Sequence, residues 1–323
     1  MRKILLLFIT LTCGLMLIPS VTMLFGKNTD ISAQKIDEPT FKVLDINTGK
    51  VETVGYKDYV IGAVMAEMPS GYHIEALKAQ AVAAFTYALR QQQNEDISPT
   101  ESLCGADFSN DSAHYQAYFS KNQAKEKFGS TYDDAYSKIS EAVNSVYGQY
   151  LEYQNEPIAA AYHSISNGIT ESAKTVWGED ISYLKPKTSE YDTTSPDYEY
   201  TVSFTPDELK NKFCEYDSTI TFSDNPEEWI AVESVSDSGT VTAVKVGSAT
   251  LTGTQFRAAL TLRSACFSVA FLDNTFSITT KGYGHGVGLS QYGANGMAFS
   301  GYTYDQILKF YYDGVEIKTL SLG

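Results

Sequence analysis

Positive charge is scarce in this sequence. Its 323 residues hold 24 Lys and Arg against 39 Asp and Glu, a formal net charge of -15. Neutralising phosphates takes a basic surface, so nucleic acid is excluded as a partner. Cysteine is also sparse: Cys13, Cys104, Cys214 and Cys266. Cys13 falls inside an apolar N-terminal run, and the other three are an odd number that cannot pair completely. A disulfide scaffold is therefore excluded. No internal repeat is present. Cys104 and His114 are two possible zinc ligands where a closed tetrahedral site takes four, so neither a metal nor another cofactor is expected.

The N-terminus carries a strong signal. Arg2 and Lys3 precede an uncharged stretch from Ile4 to Gly26. A membrane-spanning helix takes roughly 20 residues, and positive residues ahead of it keep that end in the cytoplasm. A cleaved signal peptide is the alternative, but the run is long for one. The expected organisation is an anchor at 1–26, a polar linker at 27–40 containing Pro39, and an extracytoplasmic domain at 41–323.

That domain has the composition of a packed core, since the chain is 43% hydrophobic and 20% charged. Phe41–Asp45 and Lys50–Val54 flank Asn47-Thr48-Gly49, a hairpin signal. A helix is expected from Asp58, as N-cap, to Glu67, where Pro69 and Gly71 stop it. A second helix is expected from His73 to Gln93 with one buried face. Residues 95–135 are polar and turn-rich, a helix covers Tyr136–Tyr147, and Ile158–Tyr162 reads as a buried strand or the start of one. Further on come strands at 200–204, 230–235 and 241–246, a hairpin around Asp273-Asn274, and helices at 290–299 and 303–311. Strands and helices mix in no regular βαβ order, so the fold class is α+β: mixed helices and antiparallel-type strands behind the N-terminal transmembrane helix.

Three segments can carry chemistry. Glu67 ends the apolar run Tyr59–Ala66 and meets the negative end of its helix dipole. Desolvation raises a carboxyl pKa, and a protonated acid near neutral pH is what glycosidic cleavage requires. A plain surface-exposed helix end is the competing reading. The second segment, Ile158–Gly178, runs from apolar residues into His163-Ser164-Ile165-Ser166-Asn167-Gly168, followed by Tyr183 and Lys185. Short polar groups at a strand end form either a site or a hydrogen-bonded turn. The third is Gly282–Ala294, with glycines at 282, 284, 286 and 288. An extended chain would put these on one bare face and Tyr283, His285 and Val287 on the other. A ligand or another backbone can approach the bare face. Ser290 is positioned to cap the helix that follows, with Gln291 and Tyr292 in its first turn. The flanking βαβ unit of a dinucleotide site and the Lys-Ser/Thr of a phosphate loop are both missing.

Together these segments resemble the stage II sporulation protein D family, which includes the amidase enhancers. The resemblance rests on Glu67-Met68-Pro69 with Ala76–Ala84, on His163–Gly168, on Val176-Trp177-Gly178, on Gly284–Ala294, and on the ending Ile307–Tyr312. It covers residues 41 to 315. It implies a membrane-anchored lytic transglycosylase with a glycan-binding groove, acting on peptidoglycan glycan strands during forespore engulfment. It also implies two partners, an amidase of the sporulation protein P type and a membrane protein of the sporulation protein M type. Glu67 falls on the family's catalytic glutamate, and Tyr183, Lys185 and Tyr311 on its groove residues. His163, Ser166, His285, Gln291 and Tyr292 complete the expected substrate-binding set. Two departures stand out. Phe85 precedes Thr86-Tyr87 where the family usually has Arg, so another group must orient Glu67. His114 is followed by Tyr115, whereas clostridial members that bind zinc have His-Cys.

A hydrolytic glycosidase usually needs two carboxylates, and no second one accompanies these motifs. A lytic transglycosylase manages with one, because the muramic C6 hydroxyl is an intramolecular nucleophile. The alternative from another class is a non-catalytic glycan-binding enhancer of a cell-wall amidase.

Overall fold

The computed structural model describes residues 39–321. The expected membrane anchor lies outside the described residues. Among the described residues, no helix is long and apolar enough to cross a membrane.

Residues from Thr40 on are built around two hydrophobic cores. The larger gathers side chains from Phe41 to Leu184 and again from Val287 to Val315. The smaller, from Leu209 to Ile278, lies between those two stretches in the chain. The larger core is mainly helical and the smaller is mainly strand.

The centre of the larger core is the helix Ile74–Ile97, which His73 caps by accepting the Glu75 N–H. It was expected to bury one face. Instead, nearly every residue from Ala76 to Leu89 is buried. The helices Tyr56–Glu67, Tyr132–Ser145, Gln291–Phe299 and Tyr304–Tyr311 all pack on it. Alanines at 76, 79, 81, 83, 84 and 88 let their backbones come close, as a helix buried all round requires. The polar Thr86 is satisfied within this packing. Its hydroxyl donates to the Val82 carbonyl and accepts the Leu151 N–H of the strand Gln149–Tyr153.

The helix before it runs Tyr56–Glu67, two residues earlier than the sequence suggested. Gly55 occupies the cap position with no side-chain bond, and Asp58 lies in the first turn instead. Met68 turns to an extended conformation, so Glu67 is the last helical residue. The helix Tyr132–Ser145 also starts earlier than expected, and the polar stretch before it holds the helix Lys121–Phe128 behind a Ser120 capping box.

The strands are mostly but not entirely antiparallel. The hairpin Thr40–Asp45 with Lys50–Gly55 is as expected, and Phe108–Ser109 joins it in parallel. Leu289–Ser290 pairs in parallel with Tyr162–His163. Ile158–Ala161 is not a strand. Its polar groups go elsewhere: the Ala161 carbonyl accepts the Tyr312 hydroxyl at 2.8 Å and the Leu289 N–H at 3.1 Å. In the smaller core, Glu199–Phe204, Thr275–Lys281 and Phe267–Leu272 form one sheet. Asp273 and Asn274 turn its hairpin with positive φ at both positions, the primed-turn geometry that Asp and Asn tolerate.

Phe276 is buried in the smaller core against Trp229 and Phe271. Phe276→Ala is expected to cost about 3–5 kcal/mol, read by denaturant unfolding. A loss well under about 1 kcal/mol would show that this core closes up around the missing ring.

Candidate active site

Glu67 opens onto a cleft of about 450 Å³. One wall is the strap Ser112–Gln116, and another is Ala159–Tyr162. Tyr87 comes from the central helix, and Trp177 and His285 close the far side. Among the described residues that line it, Glu67 is the one carboxylate.

The Glu67 carboxyl is held by two groups. The Ala117 N–H donates to its Oε1 at 2.8 Å, and the side chain of Gln291 hydrogen-bonds it. Burial nevertheless pushes its pKa above the ordinary 4.5, outweighing both bonds, which favour the charged form. Position 85 does not line the cleft. Phe85 is buried in the aromatic cluster with Phe41 and Tyr56. Arg90 donates instead to the Pro157 carbonyl at 2.7 Å.

Gln116 fixes the strap. Its amide donates to the Tyr59 hydroxyl at 2.8 Å and the Ala84 carbonyl at 3.2 Å, and its oxygen accepts the Tyr162 hydroxyl at 2.8 Å. This one side chain ties together both helices, the strap and the opposite wall.

His285 reaches the cleft because of the glycine loop, which is not extended. All four alternating glycines have positive φ, so the chain coils, and Tyr283, His285 and Val287 do not share a face. Tyr283 is exposed, Val287 is buried, and His285 lines the cleft. It is a backbone that approaches the bare side. A β-carbon at Gly288 would stand 2.1 Å from the Ala161 oxygen, and one at Gly284 would stand 2.7 Å from the His163 β-carbon.

The His285 Nδ1 accepts the Val287 N–H at 3.1 Å, and a backbone hydrogen bond ties the ring to Tyr162. Burial, helped by Arg257, lowers its pKa to about 4. His285 is therefore a neutral ring with both nitrogens engaged. It offers a surface rather than a base. Trp177, 45% exposed, stands beside it with ring centroids 5.3 Å apart.

The other expected residues are not brought to the cleft. His163 is buried behind His285, its Nδ1 bonded to the Val287 carbonyl. Burial pushes its pKa down to about 3. Ser166 donates to Asp192, a buried carboxylate that also accepts the Ser290 hydroxyl at 2.7 Å. Ser290 caps the helix Gln291–Phe299 as expected, accepting the Gly293 N–H. Tyr292 packs against Tyr72. Tyr183 accepts the Ala159 N–H at 2.9 Å, supporting the cleft wall from behind. Tyr311 is buried and hydrogen-bonds Ser189, and Lys185 is exposed outside the lining. His114, considered and set aside as a zinc ligand with Cys104, lines the cleft and bonds Asp111 at 2.7 Å. Cys104 is exposed. No cluster of metal-ligating side chains occurs among the described residues.

Sequence reasoning missed Trp177, Tyr87, Tyr162, Gln116 and Asp192 as site or support residues. Trp177 sat inside a motif already singled out. The other four gave no local signal.

The raised pKa of Glu67 sets a stability prediction. Below about pH 4 the carboxyl is protonated whether the chain is folded or unfolded, so it contributes nothing. Above its folded pKa the charge is buried at a cost, so the native glutamate lowers stability there. Glu67→Gln is therefore expected to raise the melting temperature near pH 7 and leave it unchanged near pH 4. A lower melting temperature near pH 7 would contradict this account.

A family model described as stage II sporulation protein matches residues 45–153. Stage II sporulation protein D of Bacillus subtilis (strain 168) is 37% identical over 294 residues, covering 89% of this chain and 80% of that protein. The protein of the same name from Bacillus amyloliquefaciens is 38% identical over 287 residues, 87% of this chain and 81% of its own length. The amidase enhancer of Bacillus subtilis (strain 168) is 28% identical over 309 residues, 79% of this chain but 40% of that protein. With likeness of this extent along most of its length, the chain belongs to the stage II sporulation protein D family of sporulation proteins.

Proposed function

We propose that this protein is a lytic transglycosylase that cleaves the N-acetylmuramic acid–N-acetylglucosamine bond of peptidoglycan glycan strands during engulfment. The observation that carries the reading is Glu67: a lone cleft carboxylate whose pKa is raised by burial. Protonated Glu67 donates its proton to the glycosidic oxygen, which leaves as the glucosamine C4 hydroxyl. The muramic C6 hydroxyl attacks C1 and closes a 1,6-anhydro ring, and its proton passes to the Glu67 carboxylate. The acid is thereby regenerated, and no water is consumed. One carboxylate suffices because the nucleophile belongs to the substrate.

The neutral His285 and the exposed Trp177 give the cleft an apolar wall on which a sugar face can stack. The N-terminal run Ile4–Gly26 supports anchoring in the membrane with this domain outside the cytoplasm. Partners of the sporulation amidase P and membrane protein M types are part of the same reading. The name of the amidase enhancer relative favours a second reading, a glycan-binding protein that stimulates an amidase without cutting.

Glu67→Gln is expected to fold and to lose about 10²–10⁴-fold in rate. Mass spectrometry of digested strands decides between the readings. Anhydro ends support the transglycosylase, reducing ends alone indicate a hydrolase, and retention of strands without cleavage indicates the enhancer. Activity should also fall as pH rises through the elevated Glu67 pKa, since the acid form is then lost. Trp177→Ala is expected to raise KM about tenfold, a loss of about 1.4 kcal/mol in binding, with a smaller change in kcat.

A further inference from the structure

We propose that Gln80 and Gln291 form a coupled pair of amides that turn over together with the protonation state of Glu67. They would offer the carboxylate a donor and the carboxylic acid an acceptor. The inference rests on the acid/base role above for its use, but not for its test.

Gln291 is buried in the first turn of its helix and hydrogen-bonds the Glu67 carboxyl. Its Nε2 also donates to Gln80 Oε1 at 3.4 Å. Gln80 is fully buried on the central helix, and its own Nε2 has no partner among the described residues. A buried amide N–H without an acceptor is costly, and native structures seldom keep one.

The two ends of an amide are nearly isosteric, so each glutamine can turn over in place. Turning both puts Gln80 Nε2 where its oxygen was, donating to Gln291 Oε1. That oxygen now faces Glu67 and accepts the proton of the carboxylic acid. The unpartnered atom becomes a carbonyl oxygen, which tolerates burial better than an N–H. The Ala117 N–H keeps its bond to the carboxyl in both arrangements. A group that gives and takes one proton within each turnover is then matched in both charge states. Gln116 shows the contrast, because three partners hold its amide in one orientation.

The titrating tyrosines around Glu67 are shifted in the direction away from it. Tyr59 and Tyr162 are pushed well up by burial and Tyr87 to about 12, Tyr115 is raised, and His285 is lowered to about 4. The exposed His114 also lines the cleft, so the test uses a His114→Gln background.

The test is NMR of the side-chain amides in the full-length chain as a function of pH. Gln80→Met and Gln291→Met assign the two signals. The expected result is that both amides titrate with one midpoint, shared with the Glu67 carboxyl carbon, and that both are flat in Glu67→Gln. A Glu67 that titrates while Gln80 stays flat overturns the proposal. Gln80→Met is also expected to lower kcat about tenfold at unchanged KM and to displace the Glu67 midpoint. Unchanged kcat and midpoint in a folded variant reduce Gln80 to packing. Should Gln80→Met fail to fold, the native titration, assigned through Gln291, still decides. Amides that turn with Glu67 in a protein that cuts no glycan would keep this inference and remove the transglycosylase reading.

Discussion

Backbone lying directly on backbone is the constraint from which the site follows. The loop from Gly282 to Gly288 rests on the segment Ala161–Glu171, and at Gly282, Gly284 and Gly288 there is no room for a β-carbon between them. The two segments exchange hydrogen bonds at Tyr283 with Ile165 and at Gly286 with Glu171. A β-carbon at Gly288 would both strain a left-handed residue and collide with the Ala161 carbonyl. This contact sends His285 into the cleft, starts the helix at Ser290, and delivers Gln291 to Glu67.

Among the described residues, no Lys or Arg lines the cleft. Glu67 is oriented by the Ala117 N–H and by Gln291, both neutral donors. A guanidinium beside it would favour the ionised carboxyl and lower its pKa. Neutral donors fix its position while burial keeps its pKa up. The histidines fit the same logic. His163 is buried and His285 half-buried, and both are neutral and mutually packed. The second buried carboxylate, Asp192, stands apart in a hydrogen-bonded cage of serines that joins Ser166 to Ser290. Its work is to lock the two polar motifs together.

Sequence periodicity and turn chemistry located most elements. The hairpin at Asp273-Asn274 and the cap at Ser290 are local events, set by residues close in the chain. The helices were harder to bound. Asp58 looked like a cap, but the helix starts at Tyr56, whose ring is packed on Phe41. That contact comes from another element, and no local rule contains it. The apolar run Ile158–Tyr162 read as a strand because its composition is that of one. Whether a run pairs depends on what lies beside it, and here only its last residue, Tyr162, enters a strand, beside Leu289.

The sequence by itself determined that Glu67 ends an apolar helix, that four glycines alternate, and that the motifs fall in the order of a sporulation family. Each of these is a property of neighbours along the chain. Only the tertiary structure decided what surrounds Glu67. Ala117, Gln291, Trp177 and His285 lie from 50 to 224 positions away from it. Desolvation and hydrogen bonding depend on distance in space, so the raised pKa of Glu67 exists only once the chain has folded.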